Sequence, residues 1–147
     1  MTGQAAGAPW PSAAPPEARD ELVWVLSAVG ELPRVRTDVR RFAAKEADAG
    51  PDAADLHDRL VLALDEMASN ALRHGGGGGV RAVLRSTGDA WLIDVSDCAF
   101  DRPPAPAVGR DPSEGGLGLY LIAELATEHG WYAEDDCKQV WALIPRR

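Results

Sequence analysis

Leu64-Asp65-Glu66-Met67-Ala68-Ser69-Asn70-Ala71-Leu72-Arg73-His74-Gly75 is the stretch whose reading decides the fold. Glu66, Asn70 and His74 recur every four residues, which stacks them along one face of a helix. Leu56, Leu60, Leu64, Met67 and Ala71 form an apolar stripe at helical period beside them. The spacing predicts a helix over residues 54–74 that buries one side and shows a carboxylate, an amide and an imidazole along its edge. A carboxylate can activate a hydroxyl or a water, and an amide oxygen suits a hard cation such as magnesium. An acid and an amide four residues apart also occur on plain surface helices, so the rest of the chain must decide between the two.

Working outward, the five glycines Gly75 to Gly79 stop this helix. Residues 80–86 and 91–97 read as a hairpin joined by Thr87-Gly88-Asp89-Ala90. Its second strand, Trp91-Leu92-Ile93-Asp94-Val95-Ser96-Asp97, is an apolar run ending in an acid. A long stretch rich in proline and charge follows, from Cys98 to Glu114. Then Gly115-Gly116-Leu117-Gly118 opens an apolar helix over residues 116–128, and residues 139–144 read as a last strand. Upstream, residues 22–28 read as a first strand. Pro33 starts a helix over 34–48 with Val35, Val39, Phe42 and Ala43 on its apolar side. Residues 1–20, rich in alanine and proline, read as a disordered tail, and residues 21–147 as one domain. Mixed helices and adjacent antiparallel strands give an α+β class with helices on one face of a sheet.

Composition narrows the function. The chain has 147 residues, 46% hydrophobic and 26% charged, enough for one core. No apolar run is long enough to span a membrane. Two cysteines, Cys98 and Cys137, make neither a disulfide framework nor a metal-type pair, and a cytoplasmic setting follows. A net charge of −8 argues against a direct nucleic-acid surface. Basic residues are nearly all arginine; Lys45 and Lys138 are the lysines. Trp24, Trp91 and Trp141 lie in or beside predicted strands and read as core or sheet packing, with a homodimer or partner surface as the alternative.

A glycine turn at a helix start is an anion site, because free N–H groups and the positive dipole end meet there and glycine lets a phosphate approach. Alone it would be an ordinary loop, and no Gly-x-x-x-x-Gly-Lys is present to make it a P-loop. In order, a helix with Glu66 and Asn70, a strand ending in Asp97 and a Gly-Gly-x-Gly turn resemble the nucleotide-binding boxes of the GHKL ATPase superfamily. Over roughly residues 22–144, their wording is most similar to the bacterial anti-sigma-factor serine/threonine protein kinases.

That resemblance implies a two-layer α/β sandwich, with helices on one face of a mixed, mostly antiparallel sheet, and ATP and Mg2+ as cofactors. It implies that Glu66 is the general base on the acceptor hydroxyl and that Asn70 binds magnesium through its side-chain oxygen. Asp97 would accept a hydrogen bond from the adenine amino group, and Gly115, Gly116, Leu117 and Gly118 would hold phosphates. Residues 98–114 would be the lid, with Arg102 and Arg110 in reach of phosphates; His74 would pack or cap its helix. The implied partners are a sigma factor and an anti-anti-sigma antagonist. The chain departs from the family at Asp97-Cys98-Ala99, where Asp-x-Gly is usual. That departure keeps a non-catalytic, nucleotide-dependent partner-binding module as an alternative. A histidine-kinase-type catalytic domain is a further one, expected to be joined to a dimerisation helix of which none is read before residue 22.

Overall fold

The computed structural model describes residues 10–16, 19–45, 53–74, 79–97, 117–134 and 137–146. Its centre is the hairpin. β2 (Val80–Ser86) and β3 (Ala90–Asp97) pair antiparallel from Arg81↔Ser96 to Ser86↔Trp91. At the turn Gly88 takes φ 101°, in the left-handed region that suits glycine, and Thr87 N–H donates to the Ala90 carbonyl at 3.1 Å. β1 (Arg19–Leu26) adds to β2, and β5 (Cys137–Pro145) adds to β3. β4 (Glu128–Glu134) closes the far side, giving the order β1-β2-β3-β5-β4 with every neighbouring pair antiparallel.

Strand period two sorts the side chains onto two faces. Leu26, Leu84, Trp91, Ile93, Ala142 and Ile144 face three helices and make the main core with them. These helices are α1 (Leu32–Lys45), α2 (Ala53–His74) and α3 (Leu117–Leu125). Ala90, Leu92, Trp141 and Leu143 form a smaller cluster on the other face. The expected α/β sandwich is therefore present, with helices on one side of the sheet. Ser27, just past β1, is tied to Glu31: the Glu31 Oε1 accepts from Ser27 N–H at 2.8 Å, from the Ser27 hydroxyl at 3.0 Å and from Ala28 N–H at 3.1 Å. Those donors, Ser27 N–H first, hold the Glu31 pKa below its ordinary value. No helix among the described residues is long and apolar enough to cross a membrane.

Three expectations change. The last helix stops at Leu125 rather than 128, and β4, which the sequence did not suggest, starts three residues later. Gly130 shows why a glycine sits inside that strand: an added Cβ would stand 2.9 Å from the Trp141 ring and 3.0 Å from the Pro11 carbonyl. Second, residues 10–16 of the tail expected to be disordered are held against the sheet. Trp131 N–H donates to the Pro11 carbonyl at 2.9 Å and Ala13 N–H to the Trp131 carbonyl at 2.8 Å, so this arm extends the sheet beyond β4. Trp10 is 3% exposed, its ring 4.5 Å from that of His129, and Trp141 Nε1 donates to the Ala13 carbonyl at 2.7 Å. One large aromatic and three hydrogen bonds outweigh a composition that otherwise favours disorder. Third, β1 begins at Arg19 and ends at Leu26, earlier than the expected 22–28. Trp24, Trp91 and Trp141 are all buried, as sheet packing requires.

Candidate functional site

α2 packs on β2, β3 and β5 and against both other helices. Its stripe Leu56, Leu60, Leu64 and Met67 is buried against the sheet, each leucine contributing about 1.5–3 kcal/mol. α1 lies toward β1, where Trp24 Nε1 donates to Asp38 Oδ2 at 3.0 Å. α3 lies toward β5. α2 is thus the middle helix, with two flanks. On one flank Asp58 and Asp65 reach α1, through Arg40–Asp58 at 2.9 Å and Arg36–Asp65 at 2.7 Å. At 100° per residue, Glu66 and Asn70 fall on the other side of the apolar stripe, the flank toward α3. Both are half-buried, and neither has a side-chain hydrogen bond or ion pair among the described residues.

The connections decide which end of the sheet this flank serves. α2 leads through residues 75–79 to Val80, and the start of β2 pairs with the end of β3 at Arg81↔Ser96. So α2 carries Asn70 toward the end of the sheet where Asp97 stands. α3 leaves at its C-terminus into β4, whose Glu128 pairs with Leu143, and Leu143 pairs with Leu92 near the start of β3. The N-terminus of α3 is therefore directed toward the Asp97 end as well. Leu117 and Gly118 open this nine-residue helix, and its first N–H groups have no partner within the helix. Gly115, Gly116, Cys98, Ala99, Arg102 and Arg110 lie outside the described residues, as do the lid and the side chain of His74.

Asp97 shares the parity of Trp91, Ile93 and Val95, so it stands on the helix-bearing face. It is not alone there. Its partner in the register is Lys138 of β5, and Lys138 Nζ lies 3.7 Å from Asp97 Oδ2, with the two side chains 7% and 3% exposed. A buried acid–ammonium pair costs desolvation, which mutual attraction has to offset. Sequence reasoning passed over Lys138. The signal was available: it is one of two lysines, at an inward position of a strand whose other inward residues are Val140, Ala142 and Ile144.

These residues fit a magnesium nucleotide. Asp97 is an acceptor-only carboxylate, the kind of group that an amino donor needs. The Asn70 amide can give magnesium the single protein oxygen that suffices when phosphates and waters supply the rest. The α3 N-terminus offers N–H donors to phosphate.

A two-layer sandwich with an acid and an amide on its middle helix defines a class, that of GHKL-type nucleotide-binding domains. The histidine kinase-like ATPase domain family matches residues 28–144, and this chain belongs to it. A probable sensor histidine kinase HK from Mycobacterium tuberculosis (strain CDC 1551 / Oshkosh) is 33% identical over 122 residues, which cover 72% of this chain and 32% of that protein. The sensor histidine kinase component HK1 of Mycobacterium tuberculosis (strain ATCC 25618 / H37Rv) is 32% identical over 117 residues, covering 69% of this chain and 70% of the relative. The structure of the RsbU and RsbW domains of Rv1364c from Mycobacterium tuberculosis superposes with a TM-score of 0.55 at 16% identity. That match covers 85% of this chain and 32% of the other, and it shows the same fold. The chain thus spans about a third of the first relative's length. Membership makes the domain a kinase-like ATPase and ATP its ligand.

Proposed function

We propose that this protein is an ATP-dependent regulatory kinase of the anti-sigma type, acting in the cytoplasm. It phosphorylates a serine on a small anti-anti-sigma antagonist and holds a sigma factor while the antagonist is phosphorylated. The observation that carries this reading is the flank of α2 toward α3, where Glu66 and Asn70 are half-buried and meet no side-chain partner among the described residues. Glu66 accepts the proton of the serine hydroxyl as that oxygen bonds to the terminal phosphorus and the bond to the diphosphate leaving group breaks. Asn70 would give magnesium its protein oxygen, Gly115, Gly116, Leu117 and Gly118 would bind the phosphates, and Asp97 would accept from the adenine amino group.

A second reading has its own support: the relatives at 32–33% identity are named sensor histidine kinases. In that case the acceptor is a histidine nitrogen on another protein. Incubating the chain with Mg-ATP and each candidate acceptor, then testing the phosphoprotein in acid and in base, separates the two. A phosphoserine survives acid and is lost in base, whereas a phosphohistidine is lost in acid. Tight binding of Mg-ATP with no transfer to any acceptor would leave the partner-binding module as the function.

A further inference from the structure

The boxes that define the site lie on α2, at the end of β3 and at the start of α3. β5 contributes to none of them, yet it places Lys138 directly opposite Asp97 in the register, on the helix-bearing face, with Nζ 3.7 Å from Oδ2 and both side chains buried. We infer that Lys138 is a positioning and specificity residue of the nucleotide site: its ammonium fixes the Asp97 carboxylate toward the amino group of adenine, while Asp97 holds that ammonium back from the carbonyl oxygen of guanine. The inference rests on the reading of this site as one for ATP.

The chemistry is that of two complementary groups. Adenine presents an amino donor where guanine presents a carbonyl acceptor. A carboxylate accepts only, so it welcomes the first and repels the second. An ammonium donates only, so a buried lysine at this place would by itself favour guanine. The pair resolves that conflict, because the carboxylate offsets the charge of the ammonium and remains an acceptor-only group toward the base. Recognition by buried polar groups discriminates strongly, since the wrong base leaves them without partners. A lysine whose role is only to neutralise Asp97 would influence folding but not the choice between two bases.

The test is calorimetric affinity for Mg-ATP and Mg-GTP in the wild type, Lys138→Met, Lys138→Arg, Asp97→Asn and the double variant Asp97→Asn/Lys138→Met. Melting without ligand follows folding, and the ATP:GTP ratio is unaffected by partial unfolding because both affinities fall together. Lys138→Met should lose about tenfold or more in ATP affinity, and Lys138→Arg should recover part of it. Asp97→Asn should move the ratio toward GTP, because the carboxylate that repels the guanine carbonyl is gone while Lys138 stays, and adding Lys138→Met to it should reduce that gain. The double variant buries neither charge and keeps the comparison available if Lys138→Met folds poorly. A Lys138→Met protein that binds ATP like wild type, or one ATP:GTP ratio shared by Asp97→Asn with and without Lys138, overturns the inference while the ATP reading stands. A wild type that binds neither nucleotide overturns both.

Discussion

The two flanks of α2 carry similar residues and treat them differently. Toward α1, Asp58 and Asp65 are each spanned by an arginine from the neighbouring helix. Toward α3, Glu66 and Asn70 are left without protein partners among the described residues. Ion pairing between helices is the ordinary way to finish a packed surface, so the first flank reads as architecture. A half-buried acid and amide that meet no partner among the described residues make the flank on which the proposed nucleotide site rests. The two flanks thus differ in pairing: one is tied to α1 by ion pairs, and the other is where the proposal places the ligand.

The comparison is tested hardest by Glu66→Gln. This change keeps size and removes the carboxylate proposed as the base. Phosphoryl transfer should fall about 10²–10⁴-fold, with Mg-ATP affinity and melting temperature near wild type. A variant with full turnover would place the base elsewhere and make the α3-facing flank no different from the other.

Leu64→Ala probes the stripe between the flanks. Leu64 is 1% exposed, so its truncation should cost about 2–5 kcal/mol in denaturant unfolding. Activity per folded molecule should persist where the protein is still native. If catalysis were lost in proportion to stability at every position of α2, the division into flanks would be meaningless.

Asn70→Ala should weaken Mg-ATP binding by about tenfold or more and leave melting of the ligand-free protein almost unchanged, because no partner among the described residues loses a bond. The magnesium dependence should flatten in parallel. Equal loss of affinity for ATP with and without magnesium would detach Asn70 from the metal.

Much of this was legible before any coordinates. α2 could be read because five apolar residues keep its period and a run of glycines ends it, and the hairpin because two strand-like runs flank Thr87-Gly88-Asp89-Ala90. The order of the boxes then pointed to the fold. What escaped depends on pairings distant in sequence. β4 carries Glu, His and Gly in its first three residues and follows an apolar helix without a clear break, so it has no strand pattern of its own; β5 and the arm make it one. Trp10 sits in a composition that favours disorder, and its burial becomes visible only once His129 is across from it. Lys138 meets Asp97 through register alone, 41 positions further on.

The smallest effect belongs to the paired flank. The Arg36 and Asp65 side chains are 47% and 23% exposed, so water and salt screen their attraction, and Asp65→Ala should cost only about 0.2–1 kcal/mol. The loss should shrink further in high salt, because screening already weakens the pair in the wild type. Nucleotide affinity and turnover should not move, although Asp65 is the immediate neighbour of Glu66 in sequence. That adjacency gives the experiment its force: consecutive residues on a helix point about 100° apart. A change at 65 that left stability intact but disturbed ATP binding would mean that both flanks face one site. A small change in stability with kinetics untouched would confine the ligand's ground to the side of α2 that turns toward α3.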